Sequence, residues 1–161
     1  MSDTSVRALA RADPRAEIPP QPLPDVDSRG FWEATSRGEL AICRCQRCRT
    51  WMHPPQERCR ACAAPTAFEP ISGRGRILSF IVAHRASVPG LGAGPHVIVL
   101  VEFDETPGIR LTGMLVGIAP SDVRIGEAVA ARIVDVPGGP YRAPEFVLID
   151  SDAGLVDGAH P

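Results

Sequence analysis

Lysine is missing from this chain of 161 residues, and all 17 basic side chains are arginine. That absence excludes a lysine Schiff base, a P-loop lysine and a lysine general base within these residues. A basic surface is missing too. The formal charge of −2 and the pI near 6.1 remove the simplest case for nucleic-acid binding. Aromatic residues make up only 5%, few for the stacking platforms that hold single strands. Long apolar runs are also lacking. The longest spans residues 97–101, far below the roughly 20 residues needed to cross a bilayer. Residues 1–16 carry Arg7, Arg11 and Arg15 but no apolar stretch of signal-peptide type. The expected compartment is the cytoplasm, where thiols stay reduced and clustered cysteines more often hold metal than pair.

The composition does contain enough for a core. Apolar residues reach 44% and charged ones 22%, the balance of a folded domain rather than a disordered chain. Seventeen prolines and fifteen glycines suit short strands and turns better than long helices. Residues 1–27, with Pro14, Pro19, Pro20, Pro22 and Pro24, read as a disordered tail. Residues 28–38 read as a short helix, capped by Asp27 or Ser28 and ended by Gly38. Its Phe31 and Trp32 must pack on something else, since a helix of about ten residues does not hold alone in water.

Residues 39–71 contain all five cysteines but few core formers. Such a segment needs a staple. From residue 72 the texture becomes β, with strands expected over 75–85, 95–103, 109–116, 128–136 and 141–149. Pro144 marks the last as an edge strand. One helical turn near Pro120 to Val123, after the third of five strands, is the layout of a small Greek-key barrel of the OB type. Residues 151–161 read as a second tail. The expected fold is therefore mainly β, a short helix and a rubredoxin-like zinc ribbon followed by a five-stranded OB barrel over 72–150.

Cys45-x2-Cys48 and Cys59-x2-Cys62 are the strongest signal in the chain. A C-x2-C turn brings two sulfurs to one tetrahedral ion at about 2.3 Å each, and two such turns supply four thiolates. A thioredoxin-like redox pair would sit at a helix start in a βαβ unit, which this region lacks. Four thiolates close the shell of a zinc ion, so the site is structural rather than catalytic. Arg44, Arg47, Arg49, Arg58 and Arg60 either offset the charge of a zinc tetrathiolate or simply solvate the surface. Cys43 reads as a small buried hydrophobe rather than a ligand, and His53 is not needed once four cysteines bind.

No nucleophile stands beside a base in an elbow motif. Cys43, Ser79, Ser87, His84 and His96 are scattered over strands. Alternation along Leu78, Phe80, Val82 and His84 places His84 at a barrel rim. His84 and Arg85, with Arg76, then either meet an anionic ligand or a partner's surface or stand as solvated rim residues. The glycine-rich loop 87–95 has no following helix and is no phosphate loop. Its Val88 and Leu91 suit docking to a partner or an acyl chain, or an ordinary hairpin.

The order of these parts resembles the acyl-CoA-associated zinc-ribbon/OB-fold family, long called domain of unknown function thirty-five. The matching residues are Phe31-Trp32, Gly38-Glu-Leu40, Cys45-Gln-Arg-Cys48, His53-Pro-Pro55 and Cys59-Arg-Ala-Cys62. They continue through Gly73-Arg-Gly-Arg-Ile-Leu-Ser-Phe80, His84-Arg85, Val99-Leu-Val-Glu102, Leu115-Val-Gly117 and Val123-Arg-Ile-Gly126. The resemblance covers about residues 28–149. Arg49 and Ala63 depart from it, because the family usually has glycine after the second cysteine of each knuckle. A left-handed backbone there would be strained.

The resemblance implies a non-catalytic accessory subunit of a thiolase-like enzyme (a thiolase, ketoacyl synthase or aldolase) handling acyl-CoA thioesters. It implies structural Zn2+ on Cys45, Cys48, Cys59 and Cys62, acyl-CoA as a ligand whose anionic or pantetheine portion meets Arg76, His84 and Arg85, and a hetero-oligomer with two copies of each subunit. The alternative is a single-stranded nucleic-acid-binding ribbon and OB barrel.

Overall fold

The computed structural model describes residues 18–85 and 89–150. The expected tails over 1–17 and 151–161, and Ser87 and Val88 of the glycine-rich loop, lie outside the described residues. Residues 18–27, expected as part of a free tail, instead lie along the barrel. The Gln21 side-chain amide donates to the Pro137 carbonyl at 2.9 Å. A Cβ on Gly138 or Gly139 would collide with Ile18 and Gln21 respectively. The glycine pair thus gives the turn the bare backbone that this crossing requires.

Helix α1 (Arg29–Ser36) follows. Neither expected cap closes it: Ser28 occupies the N-cap position without a side-chain bond to the helix. The Asp25 carboxylate accepts from the Ser28 backbone N–H at 2.7 Å and from its hydroxyl, so the serine is engaged on the outer side. Asp27 accepts the Glu57 N–H at 2.9 Å, which ties the helix entry to the ribbon. Gly38, at φ 84, ends the helix in the left-handed conformation that glycine adopts without strain. Phe31 and Trp32 stack edge-on at 5.1 Å, and Trp32 meets Tyr141 at 5.9 Å. The helix therefore bridges ribbon and barrel through its two aromatic side chains.

The ribbon is a three-stranded antiparallel sheet of β1 (Leu40–Cys45), β2 (Trp51–Met52) and β3 (Thr66–Ile71), in the order β2-β1-β3. Five strands then close a barrel: β4 (Arg74–Ala83), β5 (His96–Phe103), β6 (Arg110–Leu115), β7 (Ala128–Asp135) and β8 (Arg142–Leu148). Around the barrel the order is β4-β5-β6-β8-β7, with β4 and β7 paired antiparallel to close it. This is the OB arrangement. No helix among the described residues is long and apolar enough to cross a membrane.

Two sequence expectations change here. β8 is not an edge strand. It pairs along its length with β7 and meets β6 in parallel at Leu115 and Phe146. Pro144 is tolerated because it faces the β6 side, two residues before Phe146, whose carbonyl accepts the Val116 N–H. The ladder to β6 has not begun at Pro144, so its missing N–H costs no ladder bond. The second change is on β4, where the register shifts between Ile77 and Ser79. That bulge resets which face the side chains take. Ile77 is buried in the core while Leu78, expected inward, is exposed.

Ribbon and barrel share one core. Leu40 and Ile42 of β1 pack in the same cluster as Ile77, Val99, Val101, Phe103, Val129 and Phe146. The interior around the cysteines is separate and poor: Cys43, Cys45, Met52, Cys59 and Ala64, with Phe68 at its side.

Candidate metal centre

The two knuckles bring four sulfurs together. Cys45 Sγ lies 3.5 Å from Cys62 Sγ and Cys48 Sγ 3.5 Å from Cys59 Sγ, and all four fall within 4.8 Å of one another. A tetrahedral ion with bonds of about 2.3 Å needs sulfur–sulfur edges of about 3.8 Å. The set fits such an ion. The sulfurs also receive backbone donors: the Arg47 and Cys48 N–H groups point at Cys45 Sγ, at 3.4 and 3.3 Å. Ala61 N–H points at Cys59 Sγ at 3.4 Å. Such bonds favour thiolate over thiol.

The thiols do not ionise alike. Thr50, through its hydroxyl 3.2 Å away and its backbone N–H, brings Cys48 down to about 6. At Cys62 a backbone bond from Ala64 favours the thiolate. The neighbouring sulfurs, Cys45 first among those opposing, outweigh it and push Cys62 up to about 11. Four crowded thiols resist joint ionisation unless a cation is placed among them. This donor set suits a thiophilic divalent metal.

Each turn carries a left-handed residue after its second cysteine, Arg49 at φ 63 and Ala63 at φ 56. These are the two positions where the sequence lacks the expected glycine. Arg49 N–H closes its turn to the Cys45 carbonyl at 3.2 Å, and Ala63 N–H closes the other to Cys59 at 2.8 Å. The turn conformation is kept, and the chain carries the strain of two side chains in it.

The arginines divide. Arg44 and Arg49 both bind Glu69, at 3.0 and 2.7 Å, and Arg44 lies over the Trp51 ring at 4.3 Å. Arg47, Arg58 and Arg60 are exposed. Glu69 and Thr50 were missed by sequence reasoning. Glu69 reaches the knuckle only because β3 lies beside β1, which no spacing in the sequence encodes, whereas Thr50 acts locally, two residues after Cys48. Cys43 is buried, and its thiol points to the Gln56 carbonyl at 3.6 Å, away from the four-sulfur group.

On the barrel, Arg76 sits near the start of β4 and donates to the Gly126 carbonyl at 3.2 Å. With Arg74 it lines a polar cleft that also contains Glu127 and Asp150. His84 and Arg85 follow the other end of β4 and are exposed. Eight residues separate Arg76 from His84, about 26 Å of extended strand. The structure does not bring these three residues into one site.

A four-cysteine ribbon fused through a shared core to a closed five-strand barrel defines a zinc-ribbon/OB-fold protein. The family description "ChsH2, rubredoxin-like zinc ribbon domain" matches residues 32–69, and "ChsH2, C-terminal OB-fold domain" matches residues 68–134. A "DUF35 domain-containing scaffold protein" of Methanocaldococcus jannaschii is 40% identical over 95 residues, 56% of this chain and 66% of that protein. A "Probable enoyl-CoA hydratase alpha subunit" of Thermomonospora curvata is 38% identical over 111 residues, 66% of this chain. The chain spans about a third (33%) of that alpha subunit's length. Among solved structures, "Ltp2-ChsH2(DUF35) aldolase" superposes with a TM-score of 0.73 at 33% identity, covering 80% of this chain and 98% of that one. The chain belongs to the DUF35 family of ChsH2-type zinc-ribbon and OB-fold proteins.

Proposed function

We propose that this protein is a zinc-stabilised, non-catalytic accessory subunit of a thiolase-like enzyme acting on acyl-CoA thioesters. Zinc on Cys45, Cys48, Cys59 and Cys62 stabilises the apolar-poor ribbon, and the partner supplies the reacting groups. The observation that carries this reading is the outer face of β5. Its inward residues Val97, Val99, Val101 and Phe103 fill the barrel, yet its outward residues Ile98 and Leu100 are apolar as well. Ile98 stands in register between Ile81 of β4 and Met114 of β6, with Ser79 and Thr112 flanking Leu100, and Ile81 is 61% exposed.

A barrel wall facing water normally alternates with polar residues. This face suits a protein partner better than a nucleic-acid strand, which asks for basic and aromatic groups. The relatives' names, an enoyl-CoA hydratase alpha subunit and an Ltp2–ChsH2 aldolase, support the choice of partner class and of CoA thioesters. Two copies of each subunit follow if the partner is itself a dimer. His84, Arg85 and Arg76 are the charged residues offered to the CoA moiety, the first two from one rim and Arg76 from the opposite end of β4.

The test is co-expression with a thiolase-like protein. The parent chain co-purifies with it, and Ile81→Asp, which leaves the barrel interior untouched, breaks the association. A well-folded parent chain that engages no thiolase-like protein contradicts the reading.

A further inference from the structure

The sulfurs of the metal centre are unequally shielded. Cys45 and Cys59 are buried, Cys62 is half-buried, and Cys48 alone is exposed. The difference comes from the turns. In each knuckle the first cysteine is held in the ribbon, Cys45 at the end of β1 and Cys59 through its N–H to the Ala64 carbonyl at 2.9 Å. The second cysteine lies out on the turn. Cys45 Sγ accepts two backbone N–H groups, from Arg47 and Cys48, and Cys59 Sγ accepts one from Ala61.

Cys48 Sγ has a side-chain partner, the Thr50 hydroxyl at 3.2 Å. A hydroxyl that donates to a thiolate draws on its lone pair and slows its attack. Cys59 Sγ stands 3.5 Å from Cys48 Sγ, across on the other knuckle. Arg47, Arg58 and Arg60, all exposed, flank these two cysteines in the chain. An open, electropositive setting of this kind is where reactive cysteines are found. Cys43, buried with its thiol toward the Gln56 carbonyl, stands apart from the group.

We infer that Cys48 and Cys59 are a site of peroxide oxidation, joined across the knuckles as a disulfide, with the Thr50 hydroxyl restraining the first step. The Cys48 sulfur attacks one oxygen of hydrogen peroxide. The O–O bond breaks, hydroxide leaves, and Cys48 becomes a sulfenic acid. The Cys59 sulfur then attacks the Cys48 sulfur, forming the S–S bond and expelling a second hydroxide. Two thiolates lose one electron each, and the peroxide gains both. The disulfide offers no anionic ligand, so the set keeps only two thiolates, too few to retain zinc. Oxidation therefore unfastens the ribbon, whose own interior is small. The inference rests on the zinc reading of the four cysteines and is independent of the partner.

The sequence makes the pairing readable. Trypsin cuts after arginine, and Arg44, Arg47, Arg49, Arg58 and Arg60 put each of the five cysteines on its own peptide. The zinc-loaded full-length chain is treated with hydrogen peroxide. A chelating dye reads released zinc, and peptide mass without reduction reads the pairing. Zinc leaves as the dipeptides Cys48-Arg49 and Cys59-Arg60 appear joined, while the peptide carrying Cys43 stays reduced. Thr50→Val, which removes the hydroxyl, releases zinc about threefold faster. Thr50→Ser, which keeps the hydroxyl, matches the parent. Joining of Cys45 to Cys62 or to Cys48 overturns the inference, as does zinc retained in excess peroxide. Equal release rates in Thr50→Val and the parent overturn it as well. A parent chain that purifies without zinc removes the zinc reading, and its disulfide map still decides the pair.

Discussion

Arg49 Nη1 stands 2.7 Å from the Glu69 carboxylate, so the left-handed residue of the first knuckle is fastened to strand β3. Glu69 also takes Arg44 at 3.0 Å and the Gln46 side-chain amide at 3.2 Å. One carboxylate therefore collects three side chains from the turn that presents Cys45 and Cys48. Partial burial pushes the Glu69 carboxyl up, but the bonds from Arg44, Arg49 and Gln46 outweigh it and hold it below its ordinary 4.5.

A carboxyl whose folded pKa is depressed stabilises the fold above its unfolded pKa and loses that contribution as pH falls through the folded value. Its contribution is therefore complete above roughly pH 4.5 and fades on acidification below that. Glu69→Gln removes about 1 kcal/mol at pH 7, given the modest worth of part-exposed ion pairs. The difference between parent and variant shrinks below pH 4. Urea melts at pH 7 and pH 3.5 read both values, and an unchanged gap at the lower pH contradicts the assignment.

Ala63 carries a side chain in the left-handed region at φ 56. Ala63→Gly relieves about 1 kcal/mol of that conformation, partly offset by the greater freedom of glycine in the unfolded chain. The expected outcome is a small rise in thermal midpoint with zinc content unchanged. Arg49→Gly should gain less, because it also gives up the Glu69 pair.

Gly30→Ala puts a methyl into the Phe68 ring. Alanine is the better helix former, but the helix must shift away from β3 to admit it. Overpacking of this kind costs about 1–3 kcal/mol. A thermal melt reads the loss, and a variant as stable as the parent would show that α1 has room to move.

Cys59→Ser removes one of four ligands from a ribbon whose separate interior holds little besides Met52 and Phe68. Elemental analysis should find one zinc per parent chain and much less than one in the variant. Because Leu40 and Ile42 belong to the barrel's core cluster, loss of the ribbon also lowers the barrel's melting temperature. A barrel melting at its parental temperature would separate the two units energetically.

Much of this was legible in the sequence. The two C-x2-C pairs specify their own geometry, because ligand spacing is local. The five barrel strands declare themselves by alternation and turn residues, within about two residues of the observed ends. Three features were not legible. The bulge at Ile77 to Ser79 inverts the face of Leu78, and one inserted residue leaves no compositional trace. Pro144 reads as an edge marker but sits at a seam inside a closed barrel, which only the order of strands defines. Glu69, 20 residues from Arg49, joins the knuckle through β1–β3 pairing, a contact that no local pattern carries.

Partnership with a thiolase-like subunit is read from the molar mass of the co-expressed complex. Light scattering across the eluting peak should give a mass equal to two copies of this chain plus two of the thiolase-like subunit. Dissociation by Ile81→Asp should return this chain to a folded, zinc-loaded species of about 17.2 kDa. A parent chain that elutes alone at that mass, while the thiolase-like protein keeps full activity without it, would rule out an accessory subunit.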